Sequence, residues 1–435
     1  MVNLYLKQAW NLIKQERLFS SIYIIGTGLS ITIVMVLSIV FYIRVANIYP
    51  ETNRDRMLIV QNALVVDSEG GINLGTLSPK IFETCFHSLH NTEAVSAVYE
   101  SWGKEHYLQP EGSKEQLPTT VKYVDNDFWK VFSFHFLHGA PFTEADFQSG
   151  IHTAVISESM AKHLLGSVDA VGKYISLNFI QYKVCGVVKD VSYVTSTTYA
   201  QLWVPYTVIP DYNVSFVEDL LGNFKIYILT SSASELGKVK SEVLENIRKL
   251  NNTFSDKAEL KFLGQPDKFW ENNFREMSMQ SIDFSMTLLQ YGLIFLFVLL
   301  IPGISLSGMA DSRMERRLSE MGIRRAFGAP AKTLMSQIFT ENFLFTLFGG
   351  LVGLLSSYIF ILVSSDWIMT IVGQNSLTLP VEGESVVFTP GMLMNIPVFL
   401  IALGVCFILN LLTTFIPAWR ASRRDIIYSI NAKQF

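Results

Sequence analysis

The sequence predicts a membrane protein with four transmembrane α-helices and one large α+β domain, which is inserted between helices 1 and 2 on the outer side of the membrane. Of the 435 residues, 49% are hydrophobic and only 17% are charged, so the chain is more apolar than an ordinary soluble domain. Apolar runs long enough to span a bilayer recur along it, since a spanning helix needs about 20 residues. The segments between these runs differ in basic content, which predicts their sides of the membrane.

The chain starts with an amphipathic segment, residues 1–18, that we expect to lie on the inner membrane surface. Leu6, Trp10 and Ile13 recur there at helical spacing among basic residues. The first span follows at residues 19–43, which contain no charged residue. A cleaved signal peptide is the alternative, but the run is too long for the apolar part of such a peptide and no small-residue cleavage site follows it. We therefore predict an uncleaved anchor.

Residues 44–283 form a hydrophilic domain of mixed α and β structure. Thr153–Ser157 has the composition of a strand and is followed by a short helix, with Ser157 as its N-cap and Gly166 beyond its end. Residues 174–177 and 182–188 are predicted to pair around Asn178.

The last part of this domain is predicted to be a β-α-β unit. Residues 224–230 and 258–263 are the strands, and the helix between them has one apolar face made of Leu236, Val239, Val243, Ile247 and Leu250. Because a single core stops growing near ~250 residues, and because the middle of the domain is rich in turns, we expect two lobes.

The rest of the chain alternates between spans and short hydrophilic segments. We predict a second span at 284–308, a loop at 309–335, a third span at 336–365, a loop at 366–391, a fourth span at 392–416 and a tail at 417–435. The 309–335 loop and the tail are basic, whereas residues 366–390 contain acidic residues and no lysine or arginine. The positive-inside rule therefore places both termini and the 309–335 loop in the cytoplasm, and the large domain outside.

Several functional classes are disfavoured by the residues themselves. A net charge of −4, with no basic run carrying interleaved aromatics, argues against a nucleic-acid surface. Residues 166–174 resemble a P-loop, but the glycine spacing is one residue too long and Tyr174 replaces the Mg²⁺-binding Ser or Thr. The histidine pairs at 87/90 and 135/138 lack further metal ligands in sequence, and the three cysteines form no CxxC pair. We predict no catalytic site and no metal site.

Polar residues within the predicted spans are few, which argues against an ion-coupled carrier. Glu341 is the only charged one, and its place near the cytoplasmic end of the third span favours an interfacial anchor, or a partner for loop arginines, over a proton relay. Gly349 and Gly353 form a small-xxx-small pattern on which another helix can pack closely.

The basic 309–335 loop contains a compact segment with features that are not needed to set the membrane topology. It combines charged and apolar side chains with a glycine stop, as expected of a short helix that docks into a groove on a partner. The alternative is a solvated loop that only sets the topology. The candidate residues are Glu320, Met321, Gly322, Ile323, Arg324, Arg325, Ala326, Phe327 and Gly328.

Three stretches resemble the MacB-type and FtsX-like ABC transporter permeases. Residues 320–329, followed by an apolar run with Glu341, resemble the signature of the FtsX-like permease domain, and residues 417–425 resemble its C-terminal end. Residues 155–162, 171–173 and 184–190 resemble the MacB periplasmic core domain. Ile426 departs from the pattern, because the family often has proline there. No ATPase domain fused to this chain, as in MacB, is recognised.

The resemblance implies a non-enzymatic permease subunit in a bacterial inner membrane, with residues 320–328 as the coupling helix. It implies two permease copies, identical or related, each docked on a separate ATPase subunit that binds ATP and Mg²⁺, so that this chain needs no cofactor of its own. Lipid is the other expected partner, and an adaptor or outer-membrane partner is left open. The expected activity is export or extraction by mechanotransmission. The alternatives are an FtsX-like regulator of a cell-wall hydrolase and an ATP-independent membrane sensor or binding module.

Overall fold

The computed structural model describes residues 17–101, 103–110, 116–254, 258–275, 283, 285–294, 296–297, 323–324, 326–364 and 396–423. The chain divides into two compact units. We call residues 1–42, 285–368 and 390–435 the helical unit, and residues 43–284 and 369–389 the sheet unit.

The helical unit contains long apolar helices. They are α1 (Arg17–Val45), whose last three residues belong to the sheet unit, α8 (Ala331–Val363) and α9 (Ile396–Arg423), and residues 285–294 are also helical. Among the described residues, Ser20–Val45 and Thr333–Val363 are long and apolar enough to cross a membrane, and Ile396–Leu409 is a shorter apolar helix. These helices lie at the first, third and fourth predicted spans.

The other predicted segments of this half are described only in part. Residues 1–16 of the amphipathic segment, most of the second span at 284–308, most of the 309–335 loop and the 366–391 loop lie outside the described residues. The fourth span is predicted to end at residue 416, before Pro417, whereas the helix α9 itself continues through this proline to Arg423. A proline removes only one backbone donor from a helix, and membrane helices tolerate it.

Short elements make up the sheet unit. Its helices are α2 (Pro79–Cys85), α3 (Phe128–Val131), α4 (Glu144–Gln148), α5 (Glu158–Leu165), α6 (Leu236–Phe254) and α7 (Phe269–Asn272), with 3₁₀ turns at Arg54–Arg56, Tyr206–Val208 and Ala233–Glu235. Its described strands are β1 (Met57–Val60), β2 (Ala63–Asp67), β3 (Ile72–Leu77), β4 (Thr92–Tyr99), β5 (His106–Pro110), β6 (Leu117–Thr119), β7 (Val121–Val124), β8 (Phe136–Gly139), β9 (Thr153–Ser157), β10 (Tyr174–Leu177), β11 (Ile180–Val188), β12 (Leu202–Pro205), β13 (Leu221–Gly222), β14 (Phe224–Thr230), β15 (Ala258–Lys261) and β16 (Asp267–Lys268).

The strands form one connected sheet with two halves. Its order is β15-β2-β3-β14-β4-β7-β12-β9-β11-β10-β5-β6, and β1 pairs with β14 and β16. We call β1–β4 with β13–β16 the first half and β5–β12 the second half. The halves join where β4 pairs with β7 at Tyr99 and Tyr123. One buried apolar cluster includes residues of both halves, such as Ile226 and Ile156. The predicted two lobes are therefore two halves of one sheet that share a core, within one compact unit.

Most predicted elements of the domain are present. Ser157 caps α5 by accepting a hydrogen bond from the Met160 N–H at 3.3 Å, and Gly166 ends that helix at φ +69°. The five apolar residues predicted on one face of α6 are all buried. The predicted β-α-β unit is wrong in its pairing, because β15 pairs with β2 at the sheet edge and β2 and β3 lie between it and β14. The apolar face of α6 indicates a sheet beneath it, but not the order of the strands.

Candidate functional site

The described part of the predicted coupling segment ends as a capped helix. Ile323, Arg324, Ala326, Phe327 and Gly328 are described, whereas Glu320, Met321, Gly322 and Arg325 lie outside the described residues. The N–H of Phe327 donates to the carbonyl of Ile323 at 3.1 Å, and Gly328 adopts φ +88°, the left-handed conformation that favours glycine. The N–H of Ala329 then donates back to the carbonyl of Arg324 at 3.0 Å. Gly328 thus ends the helix as the sequence indicates.

Polar side chains connect this segment to α8. Arg324 Nη1 donates to Gln337 Oε1 at 2.6 Å, and Gln337 Nε2 donates to Glu341 Oε1 at 3.0 Å. Gln337 and Glu341 are buried, and Glu341 is only 1% exposed. The sequence indicated that Glu341 could serve a loop arginine, and the structure shows that Gln337 relays this contact. Two hydrogen bonds in series thus link Arg324 to the N-terminal part of α8.

Apolar side chains of the same segment lie at the surface of the described structure. Phe327 is 88% exposed and Ile323 is 48% exposed. Aromatic side chains and arginine are both enriched at protein–protein interfaces. The described part of this segment therefore exposes apolar surface next to Arg324.

Gly349 and Gly353 lie against α1 within the helical unit. A Cβ on Gly353 would stand 2.7 Å from the carbonyl oxygen of Gly28, and one on Gly349 would stand 2.8 Å from Cβ of Thr27. Thr32 Oγ1 donates to the carbonyl oxygens of Gly28 at 2.9 Å and Gly353 at 3.2 Å. The two helix backbones approach closely here because neither glycine has a side chain.

A buried ion pair marks the place where α1 ends, inside the sheet unit. Arg54 and Glu51 are joined by a distance of 2.6 Å between Nη2 and Oε2, and their side chains are 3% and 0% exposed. Arg54 Nη1 also donates to the carbonyl oxygens of Ile43 at 2.6 Å and Ala46 at 2.8 Å. These carbonyls belong to the end of a helix, where the dipole favours a cation.

Distant parts of the sheet unit complete this arrangement, which we call the junction cluster (Glu51, Arg54, Thr198, Phe269 and Asn273). Thr198 donates to Glu51 Oε1 through its N–H at 3.1 Å and its Oγ1 at 2.9 Å. The Arg54 guanidinium carbon lies 4.5 Å from the ring centroid of Phe269. Asn273 Nδ2 donates to the carbonyl of Arg44 at 2.5 Å. Residues from both ends of the sheet unit thus hold the last turn of α1.

Other motifs weighed in the sequence have structural roles. The P-loop-like stretch is a helix end and a turn, with Gly166 at φ +69° and Gly172 at φ +85°. Among the described residues, no group of three or more His, Cys, Asp or Glu could hold a metal ion. Cys85, Cys185 and Cys406 are free thiols.

Sequence reasoning did not identify the junction cluster or the relay through Gln337. One available signal was the Glu51–Arg54 pair, two opposite charges three residues apart directly after a span. Thr198 and Asn273 gave no local signal, because their partners are 147 and 229 residues away in the sequence.

Family models match both parts of the chain. The MacB-like periplasmic core domain matches residues 20–245, and the FtsX-like permease C-terminal domain matches residues 292–426. Together these matches cover the sheet unit up to α6 and most of the helical unit. The second match includes the coupling segment and the two glycines of α8.

Curated relatives are bacterial permeases. An ABC transporter permease of Bacillus subtilis, YknZ, is 26% identical over 62% of this chain and 64% of its own length. The macrolide export ATP-binding/permease protein MacB of Wolinella succinogenes is 24% identical over 84% of this chain and 51% of its own length. The pyoverdine export ATP-binding/permease protein PvdT of Pseudomonas fluorescens is 26% identical over 53% of this chain and 33% of its own length. The alignments thus span about a third to two thirds of these relatives.

Solved structures of such domains are also similar, at a low level. The extracellular domain of YknZ from Gram-positive bacteria aligns with 46% of this chain and 99% of its own length, at 17% identity and a TM-score of 0.34. The periplasmic region of MacB from Actinobacillus actinomycetemcomitans aligns with 46% of this chain and 87% of its own length, at 15% identity and a TM-score of 0.32. On the two family matches, which cover more than half of its residues, the chain belongs to the ABC transporter permeases with a MacB-like periplasmic core domain and an FtsX-like permease domain.

Proposed function

We propose that the chain is a non-catalytic permease subunit that transmits the ATP-driven motion of a separate ATPase subunit to its extracytoplasmic domain, and so drives export or extraction of a substrate. The observation that carries this proposal is the coupling segment. Phe327 and Ile323 present apolar surface for a partner, while Arg324 is bonded through Gln337 to Glu341 on α8. A docking surface and a mechanical connection to a long helix are thus adjacent.

Contacts in the sheet unit, at the residues where α1 ends, support the same proposal. The junction cluster holds the carbonyls of Ile43, Arg44 and Ala46 through Arg54 and Asn273. A helix end that is fixed by buried polar contacts moves together with the domain that supplies them. Mechanotransmission requires this property, whereas a membrane anchor without energy input does not.

The assembly that we propose follows from this role. The permease sits in a bacterial inner membrane with four spans, both termini in the cytoplasm and the sheet unit outside. Two copies, identical or related, pair in the membrane, and each docks on an ATPase that binds ATP and Mg²⁺, so this chain carries no cofactor. The names of the MacB and PvdT relatives combine ATP-binding and permease functions, which supports an ATPase as the partner.

Charge reversal in the coupling segment tests the proposal. The chain would be co-expressed with the ATPase encoded nearest to its gene, purified in mild detergent and assayed for co-purification and for ATP hydrolysis. We expect Arg324→Glu to abolish co-purification or stimulated hydrolysis, and Arg423→Glu, a matched reversal near the C-terminal end of α9, to preserve both. If Arg324→Glu inserts normally and stays fully coupled, the docking assignment is wrong. If no ATPase binds the wild-type chain, a sensor or binding module is the correct reading.

A further inference from the structure

A cavity of about 620 Å³ lies between the two halves of the sheet unit. The first half contributes α2, β4 and the start of β14, and the second half contributes the residues after β7, α4 and the 3₁₀ turn at Tyr206–Val208. Its volume is within the range of about 300–1,000 Å³ that is typical of small-molecule sites. Neither the junction cluster nor the coupling segment contributes to it.

Phenylalanine and tyrosine side chains contribute to the cavity wall. Tyr206 is at their centre, with ring centroids 4.9 Å from those of Phe147 and Phe224 and 5.4 Å from that of Tyr212. Phe82 of α2 also lines the cavity. Phe147 and Phe224 are buried, whereas Phe82, Tyr206 and Tyr212 are partly exposed. These three rings offer a ligand both apolar surface and the negative faces that attract cations.

Carboxylates supply the charge of the cavity. Five line it, and its lining includes no lysine or arginine. Two of the five are paired outside it, since Glu93 contacts Arg56 and Asp127 contacts Lys130, each at 2.6 Å. The other three are Glu83 of α2, Asp125 after β7 and Glu144 of α4. Glu83 and Glu144 are exposed, and Glu144 accepts a hydrogen bond from Gln148 Nε2 at 2.8 Å. The cavity therefore has a negative potential that a positively charged ligand would neutralise.

Asp125 is the buried member of this group, at 6% exposure. Its Oδ1 accepts hydrogen bonds from Ser96 Oγ at 2.7 Å and the Phe128 N–H at 2.9 Å, and its Oδ2 accepts one from the Ala97 N–H at 2.6 Å. An ionised carboxylate can accept about four hydrogen bonds, so Oδ2 has capacity for one further donor. Burial raises the pKa of Asp125 to about 7, and a bound cation would favour its ionised form.

We propose that this cavity binds a small organic cation that carries an aromatic or other apolar group. The rings hold the apolar part and interact with the charge, while Glu83, Glu144 and Asp125 complement it. A neutral ligand would leave the carboxylates without compensation, and an anion would be repelled by them. Naming such a cation as the exported substrate rests on the proposed function, whereas its binding does not.

Ethidium, a fluorescent aromatic cation, is the probe for this site. The purified full-length chain in a neutral detergent would be titrated by fluorescence anisotropy, without ATPase or ATP, and 8-anilinonaphthalene-1-sulfonate would serve as an aromatic anion. We expect Glu83→Gln/Glu144→Gln to weaken ethidium binding roughly five-fold, since each of these exposed carboxylates contributes modestly to a charge pair. The control Glu69→Gln/Glu245→Gln removes two exposed carboxylates elsewhere in the sheet unit and should leave the affinity unchanged. Tyr212→Leu should also weaken binding.

The outcomes separate the two proposals. Equal ethidium affinity in wild type and Glu83→Gln/Glu144→Gln, or displacement of ethidium by the anion, would overturn the cavity assignment. A chain that binds ethidium as expected but recruits no ATPase contradicts the proposed function alone. A chain that is coupled to its ATPase but whose ethidium affinity is insensitive to the cavity variants contradicts the cavity assignment alone.

Discussion

Arg54 and Glu51 form a fully buried ion pair, with 2.6 Å between Nη2 and Oε2, at the residues that follow α1. Both residues also form hydrogen bonds with other groups. Arg54 donates to the carbonyls of Ile43 and Ala46, and Glu51 accepts two hydrogen bonds from Thr198. Burial of two charges is costly, and the attraction offsets that cost only when the remaining polar atoms are satisfied. The contacts of this pair meet that condition.

Arg54→Met should therefore destabilise the sheet unit by about 3–5 kcal/mol, because it leaves Glu51 as an unpaired buried charge. The effect would be measured as a shift in the denaturant midpoint, followed by tryptophan fluorescence. Arg56→Met is the matched control in the same 3₁₀ turn. Its partner Glu93 is 48% exposed, so we expect a loss of about 1 kcal/mol or less. Equal losses in the two variants would contradict a special role for Arg54.

A double variant separates stability from transmission. Arg54→Met/Glu51→Leu removes both charges and should recover much of the lost stability, because an apolar pair of similar volume often replaces a buried ion pair without cost. The α1 carbonyls would still lack their donors. We expect this variant to fold while ATP hydrolysis no longer changes the state of the sheet unit, as read by limited proteolysis with and without ATP. Normal ATP-dependent protection would argue against the junction cluster as a transmission element.

One added methyl group should have different effects at Gly353 and at Gly404. Gly353→Ala places a Cβ 2.7 Å from the carbonyl oxygen of Gly28, so the helices must separate, at a cost of about 1–3 kcal/mol. Gly404→Ala in α9 is the matched control, because its Cβ would meet no atom within 4 Å. It should be neutral or stabilising, since alanine favours helix by about 1 kcal/mol over glycine. Thermal unfolding in detergent, followed by circular dichroism, compares the two, and equal midpoints would refute the packing role of Gly353.

The sequence predicted the helix ends and the buried helix face that depend on neighbouring residues. Ser157 caps the start of α5 and Gly166 ends it, both through contacts within a few residues. The apolar spacing from Leu236 to Leu250 identifies the buried face of α6. Gly328 was identified as a helix stop for the same reason, since only a glycine adopts φ +88° without strain.

The strand order and the candidate cavity were not predicted, because both depend on contacts between residues far apart in the sequence. The sheet order places β15 beside β2, and nothing in residues 258–261 specifies that neighbour. Likewise, Asp125 looks like an ordinary turn residue in the sequence, yet it is buried and accepts hydrogen bonds from Ser96 and Ala97 of β4. Contacts between residues far apart in the chain decide both the strand order and the candidate cavity, so composition and periodicity could not predict them.

Phe327 should be an anchor of the ATPase contact if the coupling proposal is correct. It is 88% exposed in the described structure, and aromatic anchors typically lose 2 kcal/mol or more on truncation, about a 30-fold change in affinity. We expect Phe327→Ala to weaken ATPase binding by at least about ten-fold, as measured by biolayer interferometry on the detergent-solubilised chain. Leu355→Ala, at an exposed apolar position on α8 outside the coupling segment, should leave binding unchanged. Wild-type affinity in Phe327→Ala would exclude this face from the interface.

Asp125 should make the stability of the sheet unit depend on pH. Burial raises its pKa to about 7 in the folded chain, although hydrogen bonds from Ala97 and Ser96 act against the rise. Between about pH 4 and 7 the folded state therefore holds a proton that the unfolded state has lost, so this contribution to stability is present at low pH and is lost as the pH rises. A shift of about three pKa units corresponds to a loss on the order of 4 kcal/mol. Asp125→Asn removes the titrating group and should flatten this slope, which is obtained from denaturant midpoints between pH 4 and 8. The difference between the two curves reports Asp125, and parallel curves would show that it is ionised throughout.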